Sequence, residues 1–256
     1  RDLKRTNTGF WLGLLIGLGL FALTWITAPL AGWFFRDPQA VPVTRALGIA
    51  FPISALSIVH DALLRKELAF KKQVIPTFAR TLSKGVMSIA LAWLGYGAWS
   101  LIFGQLTGVL VATIALWIVV KWRPKFEFQR AMVSPLLSYG SRIVMVNSLG
   151  ILLLNVDYLL IGRYLGAASL GVYTLAFRVP ELLIKQFSDI LGKVIFPAYA
   201  KMRSTGKDLS RGFLLTLQYV NLITVPLGLG LALVASPFVL TFFTDKWVEA
   251  IPVMQA

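Results

Sequence analysis

Cysteine is absent from this 256-residue chain, and histidine occurs once. The first absence excludes disulfides, thiolate metal sites and cysteine nucleophiles, and the second excludes a multi-histidine metal centre. Acidic residues are scarce, 11 against 25 lysines and arginines, and charged residues of both signs make up only 14% of the chain. A soluble domain carries roughly a quarter, so water is not the main solvent here. No G-x-S-x-G, H-E-x-x-H or G-x-x-x-x-G-K-[ST] pattern occurs, so the familiar hydrolase, metalloprotease and nucleotide-binding signatures are missing. No catalytic residue, metal ligand or cofactor is therefore expected, and ATP hydrolysis within this chain is not expected either. No signal peptide is visible and the first residue is Arg1. Ile251–Ala256 reads as the start of another apolar segment. The chain is accordingly expected to be an internal piece of a longer protein.

What is present is long apolar sequence, since hydrophobic residues make up 57% of the chain. A helix needs about 20 apolar residues to cross a bilayer. Seven segments approach that: Gly9–Phe35, Ala46–Leu64, Val74–Leu94, Gly97–Val120, Ala131–Ile161, Tyr164–Tyr199 and Gly212–Thr244. The last runs 33 residues without a charge. That is too long for one straight span, so a break is expected near Ser236–Pro237, where proline removes a helix hydrogen bond. Basic residues gather in alternate gaps. Arg1–Arg5, Arg65–Lys72, Lys121–Arg130 and Lys201–Arg211 together hold 15 of the 25 lysines and arginines. This is the positive-inside pattern, and seven crossings from a cytoplasmic N-terminus place all four gaps in the cytoplasm. The net charge of +14 is then topogenic charge beside anionic headgroups, and no nucleic-acid partner is expected. The fold class expected is an all-α polytopic transmembrane bundle of about seven spans.

An internal repeat accompanies these spans. Ala28–Val43 reads APLAGWFFRDPQAVPV, and Ser236–Val253 reads SPFVLTFFTDKWVEAIPV. Pro29, Phe34–Phe35 and Asp37 match Pro237, Phe242–Phe243 and Asp245. With a two-residue insertion, Pro42–Val43 match Pro252–Val253. Six crossings separate the copies, so both should cross in the same direction, as a parallel repeat does.

Ionisable groups within the spans are costly and usually face a bundle interior or a water-filled cavity. Arg80 and Lys84 stand one turn apart in the third span with no acid on that segment, and Arg142 lies about ten residues into the fifth. They are candidates for a cationic cavity suited to an anionic, phosphate-bearing substrate, with snorkelling to headgroups as the simpler reading. Arg178, Glu181, Lys185, Asp189 and Lys193 share one helical face with alternating sign. Arg178 and Lys185 join the cationic candidates, while Glu181, Asp157 and Arg163 are candidates for coupling or gating. The simpler reading of Asp157 and Arg163 is a structural pair across a turn, and of His60-Asp61 a pair at the membrane interface.

DYLLIGRYLGAASLGVYTLAFRVPELL (Asp157–Leu183) resembles a segment typical of bacterial polysaccharide flippases. So do ALLRKELAFKK (Ala62–Lys72), LGYGAWSL (Leu94–Leu101), KWRPKFEF (Lys121–Phe128) and IFPAYAKM (Ile195–Met202). The chain is similar over essentially its whole length to the lipopolysaccharide and exopolysaccharide exporter branch of the multidrug/oligosaccharidyl-lipid/polysaccharide exporter superfamily. The resemblance implies a two-lobed transporter of six or more helices per lobe. Residues 1–123 would be helices three to six of the first lobe. Residues 124–256 would be helices seven to nine of the second and the start of the next. It also implies a multi-pass protein of the bacterial inner membrane that moves an undecaprenyl-diphosphate-linked oligosaccharide to the outer leaflet by alternating access. A glycan polymerase and chain-length machinery are the implied protein partners. Arg80, Lys84 and Arg142 would then meet the diphosphate.

Three alternatives are weighed against this reading. A drug/cation antiporter of the same superfamily should have an acidic cavity, and here the intramembrane balance is basic. A membrane-embedded glycan polymerase or acyltransferase should carry a catalytic histidine or acid pair in a large outer loop, and the outer loops here are short. A scaffold without a transport role would have little use for the intramembrane charges.

The basic-gap alternation makes a direct prediction. Single cysteines introduced at 65–72, 121–130 or 201–211 of this cysteine-free chain should resist a membrane-impermeant maleimide in intact cells. Cysteines at Gly97 or Ala167 should react. The reverse labelling pattern would overturn the orientation.

Overall fold

A computed structural model describes residues 2–67, 69–178, 180–182, 195, 199, 202, 209–243 and 245–255. All regular structure among them is helical: α1 (Asp2–Phe35), α2 (Ala40–Gly48), α3 (Ala50–Ala55), α4 (Ile58–Lys66), α5 (Phe70–Trp93), α6 (Trp99–Val119) and α7 (Arg130–Tyr164) come first. Then follow α8 (residues 166–178), α9 (Leu209–Phe242), a 3₁₀ turn (Asp245–Trp247) and α10 (Ala250–Gln255). The chain is an all-α polytopic bundle, as expected.

Among the described residues, four helices are long and apolar enough to cross a membrane: α1, α6, α7 and α9. A fifth is counted if the pair Ala40–Ala55 and Ile58–Lys66, bent by 49°, forms one span. The helix is thus broken within the second expected span. Pro52 has no N–H to bond the carbonyl of Gly48, and the helix stops at Gly48 and restarts at Ala50. A further interruption at Leu56–Ser57 precedes α4. The third expected span is the 24-residue α5, which is long enough, but Lys71, Lys72, Arg80 and Lys84 leave it too polar to count by composition. Most of the inner half of the sixth expected span, with Lys185, Asp189 and Lys193, lies outside the described residues.

The expected break at Ser236–Pro237 is not there. Helix α9 runs unbroken through Pro226 and Pro237 to Phe242, and α1, α5 and α7 likewise contain Pro29, Pro76 and Pro135. A single proline in a long helix deletes one hydrogen bond, which local adjustment absorbs while the flanking turns hold. The two copies of the repeat have matching local structure. Helices α1 and α9 are both 34 residues long, with a proline in the second-last turn. Asp37 turns the chain out of α1 by accepting the Gln39 N–H at 2.9 Å, and Asp245 opens the 3₁₀ turn after α9.

The chain divides into two compact units, Arg1–Leu154 and Asn155–Ala256, which meet within α7. In the first, α1 packs on α2, α3 and α4, and α6 packs on α5, α3 and α2. Glycines make these approaches possible. A Cβ on Gly108 would lie 2.9 Å from the Arg80 carbonyl oxygen and 3.0 Å from the Lys84 Cβ. One on Gly104 would lie 2.9 Å from the Lys84 carbonyl oxygen and collide with the Ser88 hydroxyl. On α1, a Cβ on Gly17 would lie 2.6 Å from that of Ala55, and one on Gly13 would lie 3.3 Å from Ile58. Both pairs have the Gly-x-x-x-Gly spacing that lets helix backbones touch where lipid supplies no hydrophobic drive. In the second unit α10 folds back on α9, and Gln255 donates to the Ala232 carbonyl at 3.2 Å.

Valine at Gly108 should therefore destabilise the purified full-length protein by about 1–3 kcal/mol through overpacking. Gly85→Ala on α5, where nothing lies within 4 Å, should be neutral or stabilise by up to about 1 kcal/mol. Thermal unfolding in detergent reads both. Equal melting temperatures for Gly108→Val and wild type would show that the α5–α6 contact is loose.

Candidate functional site

A cavity of about 390 Å³ opens among α1, α3, α4, α5 and α6 of the first unit. Gly13 and Gly17 form part of one wall, since their missing side chains leave room between α1 and the broken span. Most of the lining is apolar, including Ile16, Leu20, Phe51, Ile58 and Val109. The polar lining is unevenly distributed in kind: three charged groups, Asp61, Arg65 and Arg80, together with the hydroxyls of Ser54, Ser57, Thr77 and Thr113. Arg65 Nε donates to Asp61 Oδ2 at 2.8 Å across one turn of α4. The pair is well exposed and cancels its own charge, which leaves Arg80 as the surplus positive group of the cavity. Three of these hydroxyls are tied down: Thr113 lies 3.2 Å from both the Ile53 carbonyl and Ser57 Oγ, Ser57 donates to the Ser54 carbonyl at 3.1 Å, and Thr77 donates to the Gln73 carbonyl at 2.9 Å.

The other expected residues are distributed as follows. Lys84 stands one turn beyond Arg80 on α5 but does not line the cavity. Its Cβ lies against Gly108, and its side chain is exposed. Arg142 is exposed on α7 and does not line it either. In the second unit Arg178 pairs with Glu181 at 3.4 Å, an exposed contact one turn apart. Lys185, the next residue expected on that face, lies outside the described residues together with Asp189 and Lys193. Arg163 is half-buried near the end of α7. Asp157 Oδ2 accepts the Tyr173 hydroxyl of α8 at 2.6 Å. The Tyr173 ring stacks on Phe177 at 4.7 Å and meets Tyr158 edge-on at 5.3 Å.

Tyr173 was not singled out from the sequence, because a tyrosine in an apolar run looks like any interfacial aromatic. The glycine pairs did leave a signal, their four-residue spacing, but no polar pattern points to them. His60 is a third surprise. It is fully buried, stacked 4.7 Å from the Trp117 ring and edge-on to Trp122 at 5.3 Å. The Leu56 and Trp122 backbones approach the ring, yet neither nitrogen closes a hydrogen bond. The Leu56 carbonyl is already engaged by Trp117 Nε1 at 2.9 Å. Arg123 caps the arrangement, its guanidinium 5.3 Å from the Trp117 ring centroid, while it donates to the carbonyls of Trp117, Val120 and Trp122. Among the described residues no group of three or more acids and histidines is placed to hold a metal.

The family described as polysaccharide biosynthesis protein matches residues 1–252. The chain is 30% identical over 261 residues to the teichuronic acid biosynthesis protein TuaB of Bacillus subtilis (strain 168), covering 98% of this chain and 52% of that protein. It is 29% identical to the lipopolysaccharide biosynthesis protein WzxC of Escherichia coli (strain K12), covering 97% and 51%. It is 26% identical to the succinoglycan biosynthesis transport protein ExoT of Rhizobium meliloti (strain 1021), covering 99% and 51%. The chain spans about half the length of these curated relatives. No solved structure matches it.

The setting of His60 makes a stability prediction. His60→Leu removes two buried nitrogens without partners and keeps most of the volume, so it should stay within about 1 kcal/mol of wild type. His60→Ala leaves a cavity between two tryptophans and should cost about 2–4 kcal/mol. Thermal unfolding distinguishes them, and equal losses for both would show that the nitrogens are hydrogen-bonded in the membrane.

Proposed function

The chain belongs to the polysaccharide biosynthesis protein family, and from that premise we propose that it is part of a bacterial inner-membrane flippase. The complete protein moves a lipid-linked oligosaccharide or polysaccharide precursor, carried on undecaprenyl diphosphate, from the inner to the outer leaflet by alternating access. Residues 1–123 belong to its first lobe and 124–256 to its second. The observation that carries the reading is the family match over residues 1–252, supported by a relative whose name is that of a transport protein. The surplus charge of Arg80 in a cavity walled by apolar side chains is compatible with a substrate that is both phosphorylated and lipidic.

In this reading Arg80 and Lys84 of α5 and Arg142 of α7 meet the diphosphate, with Arg178 and Lys185 as further cationic contacts. Guanidinium forks match phosphate oxygens in pairs. In the same reading Asp157, which accepts from Tyr173, Glu181, which pairs with Arg178, and Arg163 serve coupling or gating. A glycan polymerase and chain-length machinery consume the product. A drug/cation antiporter is disfavoured by the same surplus of positive charge. A glycan polymerase or acyltransferase is disfavoured because the single histidine is packed between tryptophan rings rather than presented to a substrate.

Each charge-assisted contact to phosphate contributes about 1.5–3 kcal/mol, so losing one should weaken binding roughly ten- to a hundredfold. The test is complementation of glycan export by full-length protein carrying Arg142→Ala, or Arg80→Ala with Lys84→Ala, at matched membrane abundance. Both variants should fail, and Arg142→Lys should be partly active because it keeps charge but loses the fork. Normal export by both alanine variants would show these cations to be snorkelling or structural.

A further inference from the structure

Arg45 in α2 is a cation of the second expected span region that the transport reading leaves without a role. Its guanidinium lies 5.1 Å from the centroid of the Trp25 ring of α1. Its Nε is buried and has no hydrogen-bond partner. It forms no ion pair among the described residues, and Asp37, the acid nearest before it in sequence, uses a carboxylate oxygen on the Gln39 N–H. Beside it is a cavity of about 330 Å³ lined by Trp25, Val41, Pro42, Arg45, Ala46 and Ile49. Arg45 supplies the only charge in that lining.

This combination is chemically incomplete. A half-buried cation beside apolar walls attracts an anion more strongly than one in bulk water. The tryptophan face accounts for one side of the guanidinium, but a ring offers no acceptor in the guanidinium plane, where the N–H bonds point. A phosphate does: two of its oxygens match two parallel N–H donors. The other five lining residues offer only hydrocarbon and aromatic surface, which suits the first carbons of a lipid chain and not a free hydrated ion. The volume lies at the low end of the roughly 300–1,000 Å³ typical of ligand pockets, enough for a headgroup phosphate and the start of one chain.

We propose that Arg45 and Trp25 form a binding site for the phosphate of an anionic membrane lipid, whose hydrocarbon chain lies along Val41, Pro42, Ala46 and Ile49. The site is separate from the cavity that holds Arg80: the two share no lining residue. It does not depend on the transport reading, because any bilayer phosphate of this kind satisfies it. Two sources have the required chemistry, a bulk glycerophospholipid such as phosphatidylglycerol and a polyprenyl phosphate.

The test uses purified full-length protein in detergent, with lipid retention read by native mass spectrometry. The probes are dioleoylphosphatidylglycerol, dioleoylphosphatidylcholine and undecaprenyl phosphate at matched concentration. Wild type should retain the anionic probes over phosphatidylcholine, and Arg45→Ala should lower that retention about tenfold, the effect expected from one lost charge-assisted contact. Arg45→Lys should fall between, and Arg36→Ala, which removes an exposed cation nearby, should change nothing. Arg45→Gln, which keeps length and polarity without charge, carries the test if the alanine variant does not fold. Stronger retention of undecaprenyl phosphate than of phosphatidylglycerol would identify the carrier lipid as the occupant, and the reverse would identify bulk lipid. Wild type without preference for anionic lipid, or undiminished retention by folded Arg45→Ala and Arg45→Gln, would overturn the proposal.

Discussion

The first unit depends on two helices touching through their backbones. Helix α6 presents Gly104 and Gly108 to α5, so close that a Cβ on either would meet a carbonyl oxygen of α5 at 2.9 Å. In lipid such contact is one of the few ways a helix pair gains energy, since burying leucine against leucine replaces one hydrocarbon with another. The carbonyls that meet these glycines are those of Lys84 and Arg80. The contact that joins the helices therefore also fixes where Arg80 and Lys84, two of the four cations of α5, leave the backbone. Gly13 and Gly17 do the same for α1 against α3 and α4, and the cavity with Arg80 lies among the helices that the two glycine pairs bring together.

Polar groups in the bundle are satisfied locally wherever possible. Hydroxyls of Thr8, Thr27, Thr77, Thr81, Thr174, Thr216 and Thr224 each donate to the carbonyl four residues earlier. This is the bond a Ser or Thr side chain can make inside a helix without another partner. Charges follow the same economy, as in the one-turn pairs Asp61–Arg65 and Arg178–Glu181. The exceptions stand out against that background. The Asp157–Tyr173 bond joins α7 to α8, Thr113 ties α6 to the broken span, and His60 and Arg45 carry buried nitrogens with no partner. The first two hold elements together. His60 is held by rings, and Arg45 by one ring and an adjoining cavity.

The segment between α6 and α7 is bonded to the start of α1. Asn7, Thr8 and Trp11 at the start of α1 bond the backbone or side chains of Lys125, Glu127 and Gln129, and Trp11 stacks on Phe126 at 4.5 Å. Arg123 in the same segment binds three carbonyls. A basic stretch read from sequence as a cytoplasmic loop is thus also a strap across the first unit. Its lysines and arginines serve orientation, while its backbone serves packing.

Composition and spacing alone determined the class of this protein. Long apolar runs with few charges admit only helices in a bilayer, because each backbone group must find its partner within its own segment. That requirement is local, and so it is legible. The same holds for the repeat, whose prolines recur at equivalent points within α1 and α9 and whose aspartates recur just after them. What the sequence could not supply was anything resting on contact between segments distant in the chain. It did not show that Ala46–Leu64 is bent, or that α9 passes Pro237 intact, since a proline's effect depends on the turns around it. Nor did it show that Arg45 and Arg80 border cavities while Lys84 does not, that His60 is enclosed by Trp117 and Trp122, or that Asp157 meets Tyr173. Those depend on how helices rotate about their axes when packed, and a rotation of one residue's 100° turns a side chain from lipid to cavity without altering the hydropathy that defines the span.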